Sequence, residues 1–139
     1  MKLMMAVLAF ALLAILVAAS NCQATDLVPA VLLSKMKSIA GSGSQDCGDV
    51  LLHNNPYVAI ECARDAASAG KAYRVAIQLQ GIDSLVWQGA ARDEHGKLWE
   101  VFYDSDPSGG SGANASLSVV PCRDIVFASQ GKQVIECKP

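Results

Sequence analysis

The sequence predicts an α+β fold in which one main helix packs on an antiparallel β-meander, with a C-terminal disulfide-closed β-hairpin added at an edge. Residues 72–104 alternate in polarity as three strands joined by two short turns. Residues 55–70 carry the start and stop signals of a helix. Four cysteines flank two segments of equal length. Without a predicted signal peptide of 24 residues, 139 − 24 = 115 residues remain, which suffice for one small domain with a modest core.

The first 24 residues have the pattern of a secretory signal peptide, in which an early lysine precedes an unbroken apolar run. The run is short for a membrane anchor, which needs roughly 20 apolar residues. Small residues place the cleavage after Ser20 or after Ala24. Cysteine parity favours the later position, because it removes Cys22 and leaves an even set for an oxidising compartment. Lipidation of Cys22 is the less favoured alternative, since Asn21 precedes it where a small residue is needed.

The expected location is therefore the periplasm or the extracellular space, with membrane contact only through the signal peptide or a lipidated Cys22. The 13 acidic residues outnumber the 11 basic ones, and the formal net charge is −2 at pH 7. No basic patch with interleaved aromatic residues is visible, so nucleic acid is not an expected partner.

Residues 25–46 are predicted to be an N-terminal segment and linker that precede a single domain at 47–139. The apolar positions of 26–40 suit a helix with Pro29 in its first turn. The Gly-Ser-Gly-Ser run at 41–44 is typical of a flexible linker.

The four remaining cysteines allow three pairings. In the local pairing Cys47 bonds to Cys62 and Cys122 to Cys137, and each bond is worth roughly 2 to 4 kcal/mol. The sequence alone leaves the connectivity open. Metal binding by these cysteines is the weaker alternative, because the chain lacks a CxxC motif and has only two histidines to complete a site.

The main helix is predicted over 55–70. Asn55 suits the N-cap, Pro56 the first helical position and Gly70 the C-terminal stop. One arc of this helix collects small side chains, which let a helix approach a sheet closely. They are Ala59, Cys62, Ala63, Ala66 and Ala67. We expect this arc to cover the apolar face of the meander.

Residues 47–62 and 122–137 share their spacing, an aspartate two residues after the first cysteine and a final Ile-Glu-Cys. A duplicated hairpin is one explanation. Against it, Pro56 stands where the second segment has Gly131, and the alanine-rich continuation of the first segment is helical. Only the second segment is therefore predicted to be a hairpin, with its two cysteines directly opposite each other if the turn centres on 129–130.

The first turn of the meander decides which side chains share a face. A three-residue loop at 81–83 places Ile77 opposite Trp87. A two-residue loop would shift every pair by one residue and bring Gln88 to that face instead. We predict the three-residue loop, because it unites the apolar sets.

The second turn contains Glu94, His95 and Gly96, and its glycine suits a positive φ in a hairpin loop. This turn places Trp87 opposite Tyr103. The resulting face is too apolar to stay in water, so something must cover it. It consists of Tyr73, Val75, Ile77, Leu79, Leu85, Trp87, Ala91, Trp99, Val101 and Tyr103.

The loop after the third strand is a candidate calcium site. Asp104, Asp106 and Ser108 occupy positions 1, 3 and 5 of an EF-hand-like loop, and Gly109 occupies its glycine position. Position 12 holds Ala115 instead of the closing glutamate. A flexible Gly/Ser-rich turn explains the segment more simply, so no cofactor is expected and calcium is the alternative.

No catalytic residue is assigned, because the chain lacks the familiar motifs of nucleophilic, phosphate-binding and zinc-hydrolase sites. An enzyme would need a pocket in which Asp83, Ser84, His95 or Asp104 converge within hydrogen-bond reach. Turn and cap chemistry explains these residues more simply.

Several short motifs resemble those of small exported bacterial proteins that contain cysteines and have no known function. They are Cys47-Gly48, Cys62-Ala63, Gly81-Ile82-Asp83-Ser84, the run at 103–110 and the terminal cysteine pair. Separately, the helix and the meander ending at 96–104 resemble a PepSY module, a periplasmic α+β domain linked in some proteins with protease inhibition. These resemblances imply an exported α+β domain and assign no activity.

The expected function is non-catalytic: an exported binding or interaction module for a protein, a peptide or a component of the cell envelope. The contact surface is predicted on the mixed second face of the meander. It consists of Arg74, Gln78, Gln88, Arg92 and Phe102. The two alternatives are a calcium-stabilised structural protein and a small hydrolase-like enzyme without a recognisable motif.

Overall fold

The computed structural model describes residues 28–110, 114–128 and 134–139. Within them the chain forms two helices, a five-stranded sheet and a separate two-stranded hairpin, which confirms the predicted α+β class. In chain order the elements are α1 (Ala30–Ala40), β1 (Gln45–Val50), α2 (Tyr57–Ser68), β2 (Tyr73–Leu79), β3 (Val86–Arg92), β4 (Leu98–Asp104), β5 (Ser116–Cys122), β6 (Asp124–Phe127) and β7 (Ile135–Lys138).

The large sheet has the strand order β1-β2-β3-β4-β5. The predicted meander forms its centre, as β2, β3 and β4 pair antiparallel with one another. β5 continues the antiparallel pattern at one edge, and β1 pairs parallel to β2 at the other. The hairpin β6-β7 forms a second, small sheet.

The main helix α2 begins and ends close to the predicted positions. The Asn55 side-chain oxygen accepts a hydrogen bond from the Tyr57 N–H at 3.0 Å, which caps the first turn. At the other end Gly70 has a φ of 70°. The N–H of Lys71 donates to the Ala66 carbonyl at 2.8 Å and the N–H of Gly70 donates to Ala67. This pair of bonds is a Schellman motif, and its left-handed residue favours glycine.

The predicted N-terminal helix forms α1, which begins directly after Pro29. Leu32 and Met36 of α1 are completely buried against the sheet. The run at 41–44, predicted to be a flexible linker, forms a compact turn in which the Ser44 hydroxyl donates to the Gly41 carbonyl at 2.8 Å. The described part of the predicted N-terminal segment therefore packs against the sheet, because this contact buries the apolar side chains of α1.

The register between β2 and β3 differs by one residue from the predicted one. Ile77 pairs with Gln88 and Gln78 pairs with Trp87, which is the rejected two-residue alternative. Because side chains alternate across a strand, Trp87 and Ile77 lie on opposite faces. The single apolar face was therefore a wrong prediction. The residues of that predicted face that belong to β2 face α2. Those that belong to β3 and β4 lie on the face that α1 covers.

Two clusters of buried side chains consequently lie on the two faces of the sheet. Between the sheet, α2 and the hairpin are Val50, Ala59, Ile60, Ala63, Ala66, Tyr73, Val75, Ile77, Ala90, Phe127 and Ile135. Between the sheet and α1 are Leu32, Met36, Ala76, Trp87 and Val101. The sheet is the middle layer, so apolar side chains on either face are removed from water.

The predicted register between β3 and β4 is confirmed, since Trp87 pairs with Tyr103. The connecting turn is held by Asp93, whose Oδ1 accepts hydrogen bonds from the N–H groups of His95 at 3.0 Å and Lys97 at 2.9 Å. An aspartate that binds the backbone of its own turn fixes the length of the loop.

Of the three pairings that the sequence left open, the structure has the local one: Cys47–Cys62 joins β1 to α2, and Cys122–Cys137 joins the end of β5 to β7. The predicted opposition of Cys122 and Cys137 within the hairpin was wrong, since Ile125 pairs with Cys137. The second disulfide therefore ties the hairpin to the large sheet. The turn predicted at 129–130 lies outside the described residues.

Two disulfides are typical of a protein that folds in an oxidising, non-cytoplasmic compartment. In the part of the chain that the structure describes, no helix is long and apolar enough to cross a membrane. The predicted signal peptide, its two cleavage positions and Cys22 lie outside that part.

Candidate functional site

The five residues of the predicted contact surface lie on both faces of the sheet. Arg74 and Gln78 share the face that α1 covers, whereas Gln88, Arg92 and Phe102 lie on the face toward α2. The one-residue shift between β2 and β3 separates them, so they do not form the single face that was predicted. Whether any of them contacts a partner stays a prediction.

Arg74 is buried, with an exposed fraction of 5%. Its guanidinium forms ion pairs with Asp49 at 2.7 Å and with Asp46. Both carboxylates belong to β1, whose pairing with β2 is interrupted by a bulge between them. Arg74 therefore holds the irregular edge strand to the sheet.

Gln88 is almost completely buried, and its side chain joins β3 to the hairpin. The amide Nε2 donates to the Ile135 carbonyl at 2.6 Å, and the amide Oε1 accepts from the Ile135 N–H at 3.1 Å. Nε2 also donates to the Glu100 carboxylate. The glutamine thus takes both backbone groups of Ile135 in the way that a neighbouring strand would.

The four residues considered for catalysis do not converge. Asp83 and Ser84 lie in the loop between β2 and β3, and Asp104 lies at the same end of the sheet, where it pairs with Val86. His95 lies in the turn at the other end of β3. The seven residues of β3 separate the two ends by roughly 20 Å.

The candidate calcium loop is partly ordered by its own backbone. The Asp104 Oδ1 accepts a hydrogen bond from the Asp106 N–H at 2.9 Å, and Asp106 is buried while Ser108 is exposed. Among the described residues, no three histidine, cysteine or acidic side chains are grouped as metal ligands would be. Calcium binding stays a prediction: a melting temperature raised by calcium would support it, and an unchanged one would contradict it.

A groove of about 420 Å³ lies between α2 and β6 and is called the α2–β6 groove below. Arg64, Ala67 and Ser68 of α2 form one wall, Tyr73 and Leu98 of the sheet form the floor, and Asp124, Ile125, Val126 and Phe127 of β6 form the other wall. The volume falls within the roughly 300 to 1,000 Å³ that is usual for small-molecule sites.

The floor of the α2–β6 groove carries a buried tyrosine. Tyr73 is 1% exposed, and its hydroxyl makes no hydrogen bond to any of the described residues. Burial raises the pKa of Tyr73 to about 12, with Arg92 opposing the rise and Asp124 adding to it. The hydroxyl therefore stays protonated at neutral pH and is able both to donate and to accept a hydrogen bond.

Opposite charges stand at the two ends of the groove. Arg64 lies at the Phe127 end, where its Nη2 donates to the Phe127 carbonyl at 2.9 Å and its Nη1 pairs with Glu61 at 2.6 Å. The Arg64 side chain is still 47% exposed. Asp124 lies at the other end of β6 and is exposed. A ligand with complementary charges would thus be held in one orientation.

A second surface lies at the start of α2. Leu51, Tyr57 and Val58 are exposed there, beside a smaller cleft of about 190 Å³. Asn55 at this cleft is exposed and already accepts the hydrogen bond from Tyr57, and Arg64, which also lines the cleft, is paired with Glu61. This surface offers apolar contact area, but its tyrosine, Tyr57, is exposed, whereas Tyr73 is set in the floor of the α2–β6 groove.

Sequence reasoning placed Tyr73 on an apolar face and did not find the groove. One signal was present, since a tyrosine at a core position brings a hydroxyl that needs a partner. The sequence contained no local pattern that predicts the walls of the groove. Arg64 contacts Phe127, but the two residues lie 63 residues apart in the chain.

Comparisons of the chain with protein-family models, with curated proteins and with solved structures gave no match. The function proposed below therefore rests on the geometry of the groove.

Proposed function

We propose that this protein is an exported, non-catalytic binding module that holds a small ligand in the α2–β6 groove, either in the periplasm or outside the cell. The observation that carries the proposal is the Tyr73 hydroxyl, which lines a ligand-sized groove and makes no hydrogen bond to the described residues. The Tyr73 side chain is buried, but its hydroxyl is not among the fully buried unpaired polar atoms, so it is open to the groove. A ligand in the groove is therefore able to pair with it.

Export is supported by the two disulfides and by the signal-peptide pattern of the first residues. The resemblance to small exported bacterial proteins and to PepSY modules agrees with this assignment.

The groups that line the groove are suited to holding a ligand. Apolar contact comes from Ala67, Leu98 and Ile125, and the protonated Tyr73 hydroxyl adds one directional hydrogen bond. A mostly apolar cavity with a few placed polar groups is the usual composition of a ligand site.

The test is a binding screen by NMR on isotope-labelled, disulfide-bonded protein with four probe sets: amino acids, tripeptides, disaccharides and fatty acids. We expect at least one set to shift the backbone amide signals of Tyr73, Leu98 and Ile125. The same probe recovered from the sample should be chemically unchanged.

The matched variants are Tyr73→Phe and Tyr103→Phe, which remove one hydroxyl from each face of the sheet. We expect Tyr73→Phe to weaken binding about tenfold, because the ligand loses a buried hydrogen bond. Tyr103→Phe should bind as wild type does. The proposal is contradicted if no probe set shifts the groove amides, if Tyr73→Phe binds with wild-type affinity, or if the probe is converted.

A further inference from the structure

The wall of the groove formed by β6 is the edge of a strand. Successive side chains of a strand point to opposite faces, so a cavity on one face touches every second residue. The α2–β6 groove instead touches all four residues of β6, Asp124 to Phe127. Since β7 pairs with the other edge of β6, the groove runs along the outer edge.

The hydrogen bonds of the hairpin show which backbone groups face the groove. Ala128 donates its N–H to Val134 across the hairpin at 2.9 Å. In an antiparallel pair the bonded positions alternate, so Ile125 and Phe127 direct their N–H and C=O groups away from β7. The Phe127 carbonyl does point outward, because it accepts the hydrogen bond from Arg64.

The backbone N–H and C=O groups on the two outer edges of the hairpin differ in their hydrogen-bond partners. On β7, the N–H and C=O of Ile135 are both taken by the Gln88 amide. On β6, within the described residues, no strand pairs with the outward groups of Ile125, a residue that lines the groove. An unpaired strand edge is a template for another extended chain.

We infer that the ligand of the α2–β6 groove is a short extended peptide that pairs with Ile125 on the outer edge of β6. This inference rests on the proposed function of the groove. The peptide runs parallel to β6, with its N-terminal ammonium beside Asp124 and its C-terminal carboxylate beside Arg64. Charge complementarity at the two ends of the strand sets this direction.

The length of β6 suits a tripeptide. The three residue steps from Asp124 to Phe127 span roughly 10 Å, and a tripeptide with free termini spans about the same distance. In a parallel pair, a residue whose backbone groups face the other strand makes hydrogen bonds to the residue before and to the residue after the one that lies opposite it. The Ile125 N–H therefore donates to the carbonyl of the first peptide residue, and the Ile125 carbonyl accepts from the N–H of the third. Tyr73 and Leu98 lie beneath the peptide.

The experiment compares four forms of a pooled set of tripeptides by equilibrium binding to the disulfide-bonded protein: unmodified, N-acetylated, C-amidated, and N-methylated at the backbone nitrogen of the third residue. We expect each modification to weaken binding about tenfold, because each removes a charge-assisted or backbone hydrogen bond. Equal affinity of all four forms would overturn the inference.

Two protein variants connect the peptide ends to their partners. Asp124→Asn should weaken the unmodified peptides about tenfold, and N-acetylation should then cause no further loss, as expected for groups in direct contact. Asp65→Asn, on α2 outside the groove, is the matched control and should behave as wild type. If acetylation weakens binding to Asp124→Asn as much as to wild type, the assigned direction is wrong.

The NMR binding screen distinguishes a peptide ligand from other ligands of the groove. If amino acids, disaccharides or fatty acids shift the groove amides and tripeptides do not, the groove is a binding site but its ligand is not a peptide. If no probe set shifts those amides, both proposals fall.

Discussion

Buried polar groups among the described residues differ in how they are satisfied, and the Trp87 indole Nε1 is fully buried with no hydrogen-bond partner. Arg74 and Gln88 are satisfied by other parts of the chain and hold β1 and the hairpin in place. Tyr73 is as deeply buried, but its hydroxyl faces a groove instead of a protein partner within the described residues. The partners of Arg74 and Gln88 favour stability, because a buried polar group is costly only when it is unpaired. The unpaired Tyr73 hydroxyl at the groove supports the proposed ligand site.

Alkaline stability is expected to depend on Tyr73. Burial raises its pKa from 10.0 to about 12 in the folded protein. The stabilising effect of the neutral hydroxyl is therefore complete below about pH 10, and it is lost as the pH rises through about 12. We expect the free energy of unfolding to fall less steeply over this interval in Tyr73→Phe than in wild type. Tyr57→Phe, which removes an exposed hydroxyl, is the control. Identical slopes for Tyr73→Phe and wild type would contradict the assignment.

The elements are joined by a few specific side chains. The hairpin β6-β7 is held to the large sheet by the Cys122–Cys137 disulfide and by the Gln88 amide. The turn between β3 and β4 is held by Asp93, which accepts hydrogen bonds from two backbone N–H groups and from the Trp99 indole at 3.2 Å. We expect each of these links to contribute to stability.

Replacing Gln88 with leucine should destabilise the protein by about 3 kcal/mol, because the buried N–H and C=O of Ile135 both lose their partner. The measurement is the free energy of unfolding from urea denaturation. Gln80→Leu changes an exposed glutamine and should have little effect. A loss below about 1 kcal/mol in Gln88→Leu would mean that the hairpin is docked by other contacts.

Acid stability is expected to depend on Asp93. Partial burial acts to raise the pKa of this carboxyl, but the hydrogen bonds from Lys97, Trp99 and His95 outweigh it and hold the pKa below its ordinary 3.8. The stabilising effect of the carboxylate is thus present above about pH 3.8 and is lost as the pH falls through the lower folded value.

Asp93→Asn should remove this part of the acid dependence, which unfolding curves across the acid range would show. Glu94→Gln, in the same turn but exposed, is the control and should keep the wild-type profile. A wild-type profile in Asp93→Asn would contradict the assigned role.

At the scale of the whole molecule, the local signals of the sequence were sufficient for the class, the main helix and the turn at Asp93. Each of these depends on residues close together in the chain, such as Asn55 and Gly70 at the ends of α2. The β2–β3 register depended on non-local packing. β2 is buried on both faces, so its alternation did not reveal which set faces which helix.

The α2–β6 groove was not predicted from the sequence because it also depends on non-local contacts. Gln88 was predicted at a contact surface because a glutamine rarely lies in a core, and its burial is tolerated only because Ile135, 47 residues away, takes its amide. The α2–β6 groove likewise arises only when the hairpin docks beside α2. The sequence shows which residue types line the groove, but its patterns did not predict that these residues lie close together.

The most direct test of the groove as a peptide site is amide hydrogen exchange at Ile125 and Ile135, followed by NMR with and without a saturating tripeptide from the pool. In the ligand-free protein we expect the Ile135 N–H to exchange slowly, because Gln88 accepts its hydrogen bond, and the Ile125 N–H to exchange rapidly. The bound peptide should slow exchange at Ile125 and leave Ile135 unchanged. An Ile125 amide that is equally protected before binding, or that stays unprotected with the peptide bound, would contradict the account.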